Sequence, residues 1–300
     1  TSCYRGIPGK YIAAGPLASR WLQQQFASDA TLIRCGAQVL GEPAAGYLSH
    51  PGYAALPKAP YRYQEMLGVI WRENPSCYLE DGEQAVLMAA LMETDNAGRP
   101  LIDAWIKRSG LSADAWLEKL FEATVIPFYH LLCRYGVALI AHGQNVTLVM
   151  KNYVPQRILL KDFQGDMRLV DEDFPQAQSL PAQVKDVTAR LSADYIIHDL
   201  QTGNFVTVLR FISRLTLQCG VSEIRFYQVL AGVLRRYMAA HPELAERFAM
   251  FDLFKPQIIR VILNPVKLTF SEHDGGSRML PNYVTDLDNP LFLASRESAQ

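Results

Sequence analysis

The sequence predicts an α+β fold, on three observations. Apolar residues recur at helical spacing across residues 101–135 and over most of the chain beyond Pro181. Three short apolar runs of strand character lie between residues 137 and 163. The first ninety residues are broken by turn signals: Gly6-Ile7-Pro8-Gly9, Gly15-Pro16, Gly41-Glu42-Pro43 and His50-Pro51-Gly52. No internal repeat or low-complexity linker divides the 300 residues, so a strand-bearing region, 1–180, and a mostly helical region, 181–300, are expected to pack together.

Element by element, residues 17–26 and 83–91 read as helices, and Met66 to Trp71 as an apolar run. Ile102, Trp105 and Ile106 mark one helix of the 101–135 stretch. Trp116, Leu117, Leu120, Phe121, Val125, Phe128, Leu131 and Leu132 mark a second, with Ser112 and Asp114 placed to start it and Gly136 to stop it. Strands are expected at 137–141, 146–151 and 157–163, with Gly143-Gln144 and Tyr153-Val154-Pro155 as the connections. Helices are expected at 182–193, 205–219, 223–241, 243–254 and 257–261, before loop at Asp274-Gly275-Gly276-Ser277. Phe205, Phe211, Phe226 and Tyr227 fall at helical spacing and are read as packing.

Composition narrows the function. With 49% hydrophobic and 20% charged residues the chain can bury a large core, which argues against disorder. A net charge of -1 offers no basic excess for a phosphate backbone, so nucleic acid is not expected as a partner. No run approaches the roughly 18 apolar residues of a membrane span, and the first residues lack a signal pattern, so no membrane partner is expected either. Five scattered cysteines without a CxxC pair fit neither a disulfide framework nor a zinc ribbon, and point to a reducing cytoplasm. The chain opens on Thr1-Ser2 without methionine, as a fragment of a longer protein would.

The densest chemical signal is Ala141-His142-Gly143-Gln144-Asn145, polar residues where one strand ends and the next begins. Further on, Leu159-Leu160-Lys161-Asp162-Phe163-Gln164-Gly165-Asp166 takes another apolar strand into charge. If the two strands form a hairpin, Asn145 and Asp162 meet at one rim. An amide oxygen and a carboxylate are hard ligands suited to magnesium on nucleotide phosphates. His142 is mostly neutral at its usual pKa of about 6.5 and easily biased toward charge. The plainer alternatives stay open: a satisfied structural histidine, and an Asp162 that caps a turn or pairs with Lys161. Arg72 follows the Met66 to Trp71 run and suits a carboxylate or phosphate, or else a buried pair with Glu73. Lys267 and Arg278 flank the late loop and could close over substrate, although surface charges are the commoner case. His130, His198 and His241 lack neighbours at metal-ligand spacing, and Asp199 beside His198 reads as a cap or surface pair.

His142-Gly143-Gln144-Asn145 followed by Lys161-Asp162-Phe163-Gln164-Gly165-Asp166 resembles the signature of the NRPS-independent siderophore synthetases, the aerobactin-synthetase-like family. Thr1-Ser2-Cys3-Tyr4-Arg5, Gly15-Pro16, Arg72-Glu73-Asn74-Pro75 and Asp288-Asn289-Pro290-Leu291 extend the similarity over nearly the whole chain. The resemblance implies an antiparallel palm-like sheet with helical lobes, distantly kinase-like, the thumb lying in 181–300. It implies ATP and Mg2+, an acyl-adenylate, and small-molecule carboxylate and amine (hydroxamate) substrates, with room for a homodimer. By position, Thr1 and Arg5 would contact phosphate and carboxylate, His142 and Gln144 the carboxylate and α-phosphate region, and Asn145 and Asp162 the metal. N-hydroxy-N-succinyl diamine units are the expected substrates, with a citrate-using aerobactin-type synthetase or a kinase-like phosphotransferase as alternatives. A kinase would place a general-base Asp just before Asn145, where this chain has Gln144. Family members carry further ATP-contacting Ser and Lys residues upstream of the Thr1-Ser2 segment.

Overall fold

The computed structural model describes residues 9–55, 65–163, 165–262, 282–283 and 286–297. Thr1, Arg5, Lys267, Arg278 and the 274–277 loop lie outside the described residues. The rest is a mixed α and β architecture with several small sheets, the larger ones of four strands and three.

Helix α1 (Gly9–Ser28) absorbs Gly15-Pro16, where a turn was expected. Proline interrupts one backbone hydrogen bond, but Ile12, Ala14, Ala18, Trp21, Leu22 and Phe26 are buried along the same helix, and that packing outweighs the local preference. A short helix, α2 (Ala30–Arg34), follows, its first amides capped by Asp29 at 2.8 and 3.1 Å.

The four-stranded sheet runs β1–β7–β6–β4, made of β1 (Gln38–Val39), β4 (Glu83–Leu87), β6 (Val146–Lys151) and β7 (Val154–Leu160). β1 is parallel to β7, and the other pairs are antiparallel. Its two faces follow the strand period of two. Val146, Leu148, Met150, Ile158 and Leu160 face the main core, while Val149 and Leu159 pack with Leu40 beneath Tyr78 and Leu79. β7 starts earlier than expected because the turn is Asn152-Tyr153 alone, with φ of 51° and 64°, which takes Val154 and Pro155 into the strand. Beside this sheet lie a hairpin, β2 (Ala44–Ser49) with β3 (Glu65–Trp71), and a three-stranded sheet of β5 (Val137–Leu139), β8 (Met167–Val170) and β9 (Ala189–Leu191).

Helices α3 (Leu101–Ser109) and α4 (Ala113–Tyr135) form as expected. Ser112 accepts the Ala115 amide, and Gly136 closes α4 at φ 65°, where an added Cβ would lie 2.6 Å from Val170. From Trp116 onward α4 is almost wholly buried, and it crosses α5 (Glu223–Ala240) through an edge-to-face Phe121–Phe226 pair with centroids 5.0 Å apart.

Several helix expectations give way to pairing between distant segments. Residues 83–91 form β4 and then a 3-10 turn, Met88–Met92; the run is rich in helix formers, but its ladder with β6 and the burial of Met88 and Leu91 decide its state. Residues 182–193 split into a helix, Ala182–Val187, and β9, which pairs in parallel with β8. The helix expected at 243–254 is shorter, a 3-10 turn, Pro242–Leu244, leading into an α-helix, Ala245–Met250. Instead of helix, 257–261 contributes Gln257–Ile258 and Val261–Ile262, paired with Leu287–Asp288 and Asn282–Tyr283. Residues 201–219 are helical but begin as a nine-residue π-helix, Gln201–Leu209. Phe205, Phe226 and Tyr227 are core residues, whereas Phe211 is 46% exposed.

Candidate active site at the sheet rim

Topology brings four sequence-distant points to one rim. β1 and β7 run in parallel with Val39 opposite Leu160, so Glu42 and Asp162 follow at the same end. In β6, Val146 faces Leu160, which puts Asn145 at that end too. Trp71 pairs with Ala44 and the Glu73 amide donates to Gly41 O at 2.8 Å, which delivers Arg72.

Arg72 is the electrostatic centre of this rim. Its Nε and Nη2 donate to Glu42 Oε1 at 3.1 and 2.8 Å, and Nη2 also reaches Asp162 Oδ1. Arg72 therefore pairs across the chain and not with Glu73, whose carboxylate takes the Gly41 amide, Gln23 and Tyr78. The Glu42 side chain is fully enclosed, and burial pushes its carboxyl up against the pull of Arg72. Asp162 behaves oppositely: burial works to raise its pKa, but the Lys161 hydrogen bond (2.9 Å) and the Arg72 charge hold it below its ordinary value. Its backbone sits at φ 66°, a left-handed conformation that Asp tolerates better than most residues.

Asn145 is buried and turned to a different carboxylate. Its Nδ2 donates to Asp166 Oδ2 at 3.0 Å and to Ile140 O at 3.3 Å, so Oδ1, the atom a hard cation takes, is committed to neither bond. Asn145 and Asp162 thus share the rim, each with its own partners. Half-buried His142 accepts the Gln144 amide on Nδ1 at 3.3 Å, which places the proton of the neutral ring on Nε2 as a donor; the Gln144 side chain is exposed. Among the described residues no group of three or more His, Cys, Asp or Glu forms a metal cluster.

His130 and His198, away from the rim, are structural. His130 is enclosed between Tyr237 OH (2.7 Å) and Asp29 Oδ2 (3.1 Å). His198 and Asp199 form a buried pair at 3.3 Å, not a surface one; burial pushes the Asp199 carboxyl up, against the attraction of His198 and Arg168 and with Asp166 adding repulsion. Sequence reasoning missed Glu42 and Asn204 as parts of this region and gave Asp166 no role of its own. Asn204 ends a polar stretch, Gln201-Thr202-Gly203-Asn204, just before an apolar run, while Glu42 lay hidden in a Gly-Glu-Pro turn. The cysteines described, Cys35, Cys77, Cys133 and Cys219, are free thiols. Among the described residues no helix is long and apolar enough to cross a membrane.

Residues 1–93 match the IucA / IucC family, and residues 114–277 match a family described as ferric iron reductase FhuF-like transporter. An aerobactin synthase from Escherichia coli is 70% identical over 99% of the chain and 51% of its own length. A solved aerobactin synthetase from Klebsiella pneumoniae superposes with a TM-score of 0.84 at 65% identity, covering 96% of the chain and 49% of the neighbour. An ATP-bound aerobactin synthetase from the same organism shares the fold alone, with a TM-score of 0.69 at 17% identity over 97% of the chain and 50% of its own. The chain thus spans about half the length of the curated relatives it matches. By these matches the chain belongs to the IucA / IucC family of NRPS-independent siderophore synthetases, with residues 114–277 in its FhuF-like region.

Proposed function

We propose that the chain carries part of the active site of an ATP-dependent siderophore synthetase, which adenylates a carboxylic acid and passes the acyl group to an amine or hydroxyl. The observation that carries this reading is the convergence of the His142–Asn145 and Lys161–Asp166 loops with Arg72 at one rim, in a chain so similar to proteins named aerobactin synthase.

Adenylation brings two anions together, so donors and cations must offset their repulsion. In this reading His142 Nε2–H would meet the carboxylate and α-phosphate with Gln144 beside it, and Thr1 and Arg5 would contact phosphate and carboxylate, as the family resemblance implies. Oxygen donors fit a hard cation: Asn145 Oδ1 and the Asp162 carboxylate would hold Mg2+, which offsets phosphate charge when bound. A carboxylate oxygen attacks the α-phosphorus and the bond to the bridging oxygen breaks, releasing pyrophosphate. The amine nitrogen or hydroxyl oxygen then attacks the acyl carbon and loses its proton, and AMP leaves with its oxygen.

The palm-like, distantly kinase-like arrangement, a strand-bearing 1–180 with a thumb in 181–300, a cytoplasmic setting and a homodimer belong to the same proposal. For substrates, N-hydroxy-N-succinyl diamine units stand beside a second reading, a citrate-using aerobactin-type enzyme, which the 70% identity to an aerobactin synthase favours. The test is to incubate the full-length protein with ATP, Mg2+ and candidate acids and diamines. Acid-dependent AMP and pyrophosphate are expected; ADP would replace the ligase with a phosphotransferase.

A further inference from the structure

We infer that Asn204 is a positioning residue for His142, acting from a π-helix that grips the loop before it; this rests on the reading of His142 given above. Three observations converge. The nine-residue π-helix Gln201–Leu209 is a rare form, and such distortions recur where a helix must present particular groups. Its Asn204, wholly buried, donates Nδ2–H to Ala141 O at 3.0 Å, and that carbonyl belongs to the peptide leading into His142. The preceding Gly203 lies against the same strand end: a Cβ there would stand 3.2 Å from Ala141 N and 3.4 Å from Ile140 Cγ2.

The rest of the loop is held from another side, by the Ala89 amide on Gly143 O at 3.0 Å. The π-helix and the Met88–Met92 turn therefore act as two jaws, with Asn204 Nδ2 also 3.8 Å from Met88 Sδ. Asn204 Oδ1 is buried with no partner among the described residues, as is Asp199 Oδ2 one turn earlier. A residue kept only for stability would not leave a buried acceptor unmatched, since an apolar side chain would fill the space without that cost. What the amide supplies is direction: one donor aimed at one carbonyl, which fixes the peptide plane and hence the path of the His142 ring.

The test uses the full-length enzyme and acid-dependent pyrophosphate exchange. Asn204→Asp keeps the shape of the side chain and replaces the donor with an acceptor. Its kcat is expected to fall about tenfold or more with the KM for ATP within about threefold, a split that marks lost alignment and not lost binding. Combined with His142→Ala, it should add less than about threefold to the loss from His142→Ala alone, since both changes act through one group. Gly203→Ala, which presses one methyl against the Ala141 backbone, gives an independent arm: kcat should fall in a protein that still unfolds cooperatively. Wild-type kcat in the folded variants, or losses that multiply independently with His142→Ala, would overturn the assignment. A His142→Ala enzyme exchanging at the wild-type rate would overturn the reading of the site and this one with it.

Discussion

Arg72 shows how one side chain sets the character of the rim. A guanidinium with donors on two carboxylates is fixed in place with its charge offset by them, and its removal strands Glu42 inside the protein. Arg72→Ala is therefore expected to destabilise the fold by about 3–5 kcal/mol in urea unfolding, a far larger loss than the ~0–1 kcal/mol of an exposed pair such as Arg99–Asp95. Asp162 is the other residue on which the reading turns. Asp162→Ala should abolish turnover by removing the proposed metal ligand, and a rate like the wild type in that variant would sink the metal assignment. His142 differs in kind, because its tautomer is set locally by the Gln144 amide, while Asn204 holds the peptide that leads into it.

At the scale of elements, the β6–β7 hairpin is the part on which rim geometry depends most. Its two-residue turn places Asn152 and Tyr153 at positive φ, which Asn accepts and Tyr resists by roughly 1 kcal/mol. The Tyr153 ring lies 5.3 Å from the Arg108 guanidinium, worth about 0.5–1 kcal/mol at an exposed site. Tyr153→Gly should consequently change stability by less than about 1 kcal/mol, as relieved backbone strain offsets the lost contact; a loss of several kcal/mol by chemical denaturation would contradict this. Elements of this kind were legible in the sequence because their signals are local: Ser112 and Gly136 sit next to the helix they cap, and the period of two marks β6 and β7 wherever they pair. The misread elements owe their state to partners far along the chain. Leu87 is strand because it meets Thr147, and Gln257 because it meets Asp288. Arg72 likewise finds Glu42 and Asp162 across 30 and 90 positions, while the neighbour it was read against, Glu73, turns elsewhere. The π-helix was invisible for another reason, since an apolar run fixes which face is buried but not the hydrogen-bond step.

The described residues are tied together by a main core running from α1 to the helix Pro290–Glu297, and by a buried polar knot within it. Asp29 caps α2 and also takes His130, Tyr135 OH at 3.0 Å and Arg134. Burial works to raise its pKa, but the His130 bond and charge, the Leu32 amide and Tyr135 hold it well below the usual carboxylate range. A carboxyl held low stabilises fully above its unfolded value of about 3.9 and loses that contribution as pH falls through the folded one. Thermal stability should thus fall steadily below about pH 4, and less steeply in Asp29→Asn, although that variant starts from a lower melting temperature. Equal acid slopes for the two proteins would show that the knot is not what titrates. All of this scaffolding serves one chemical claim, that a substrate carboxylate oxygen attacks the α-phosphorus of ATP. The direct measurement is to give the full-length enzyme an acid labelled with 18O in its carboxylate and to locate the label after turnover. One labelled oxygen in AMP is the predicted result; label in inorganic phosphate, with ADP as the nucleotide product, would contradict it.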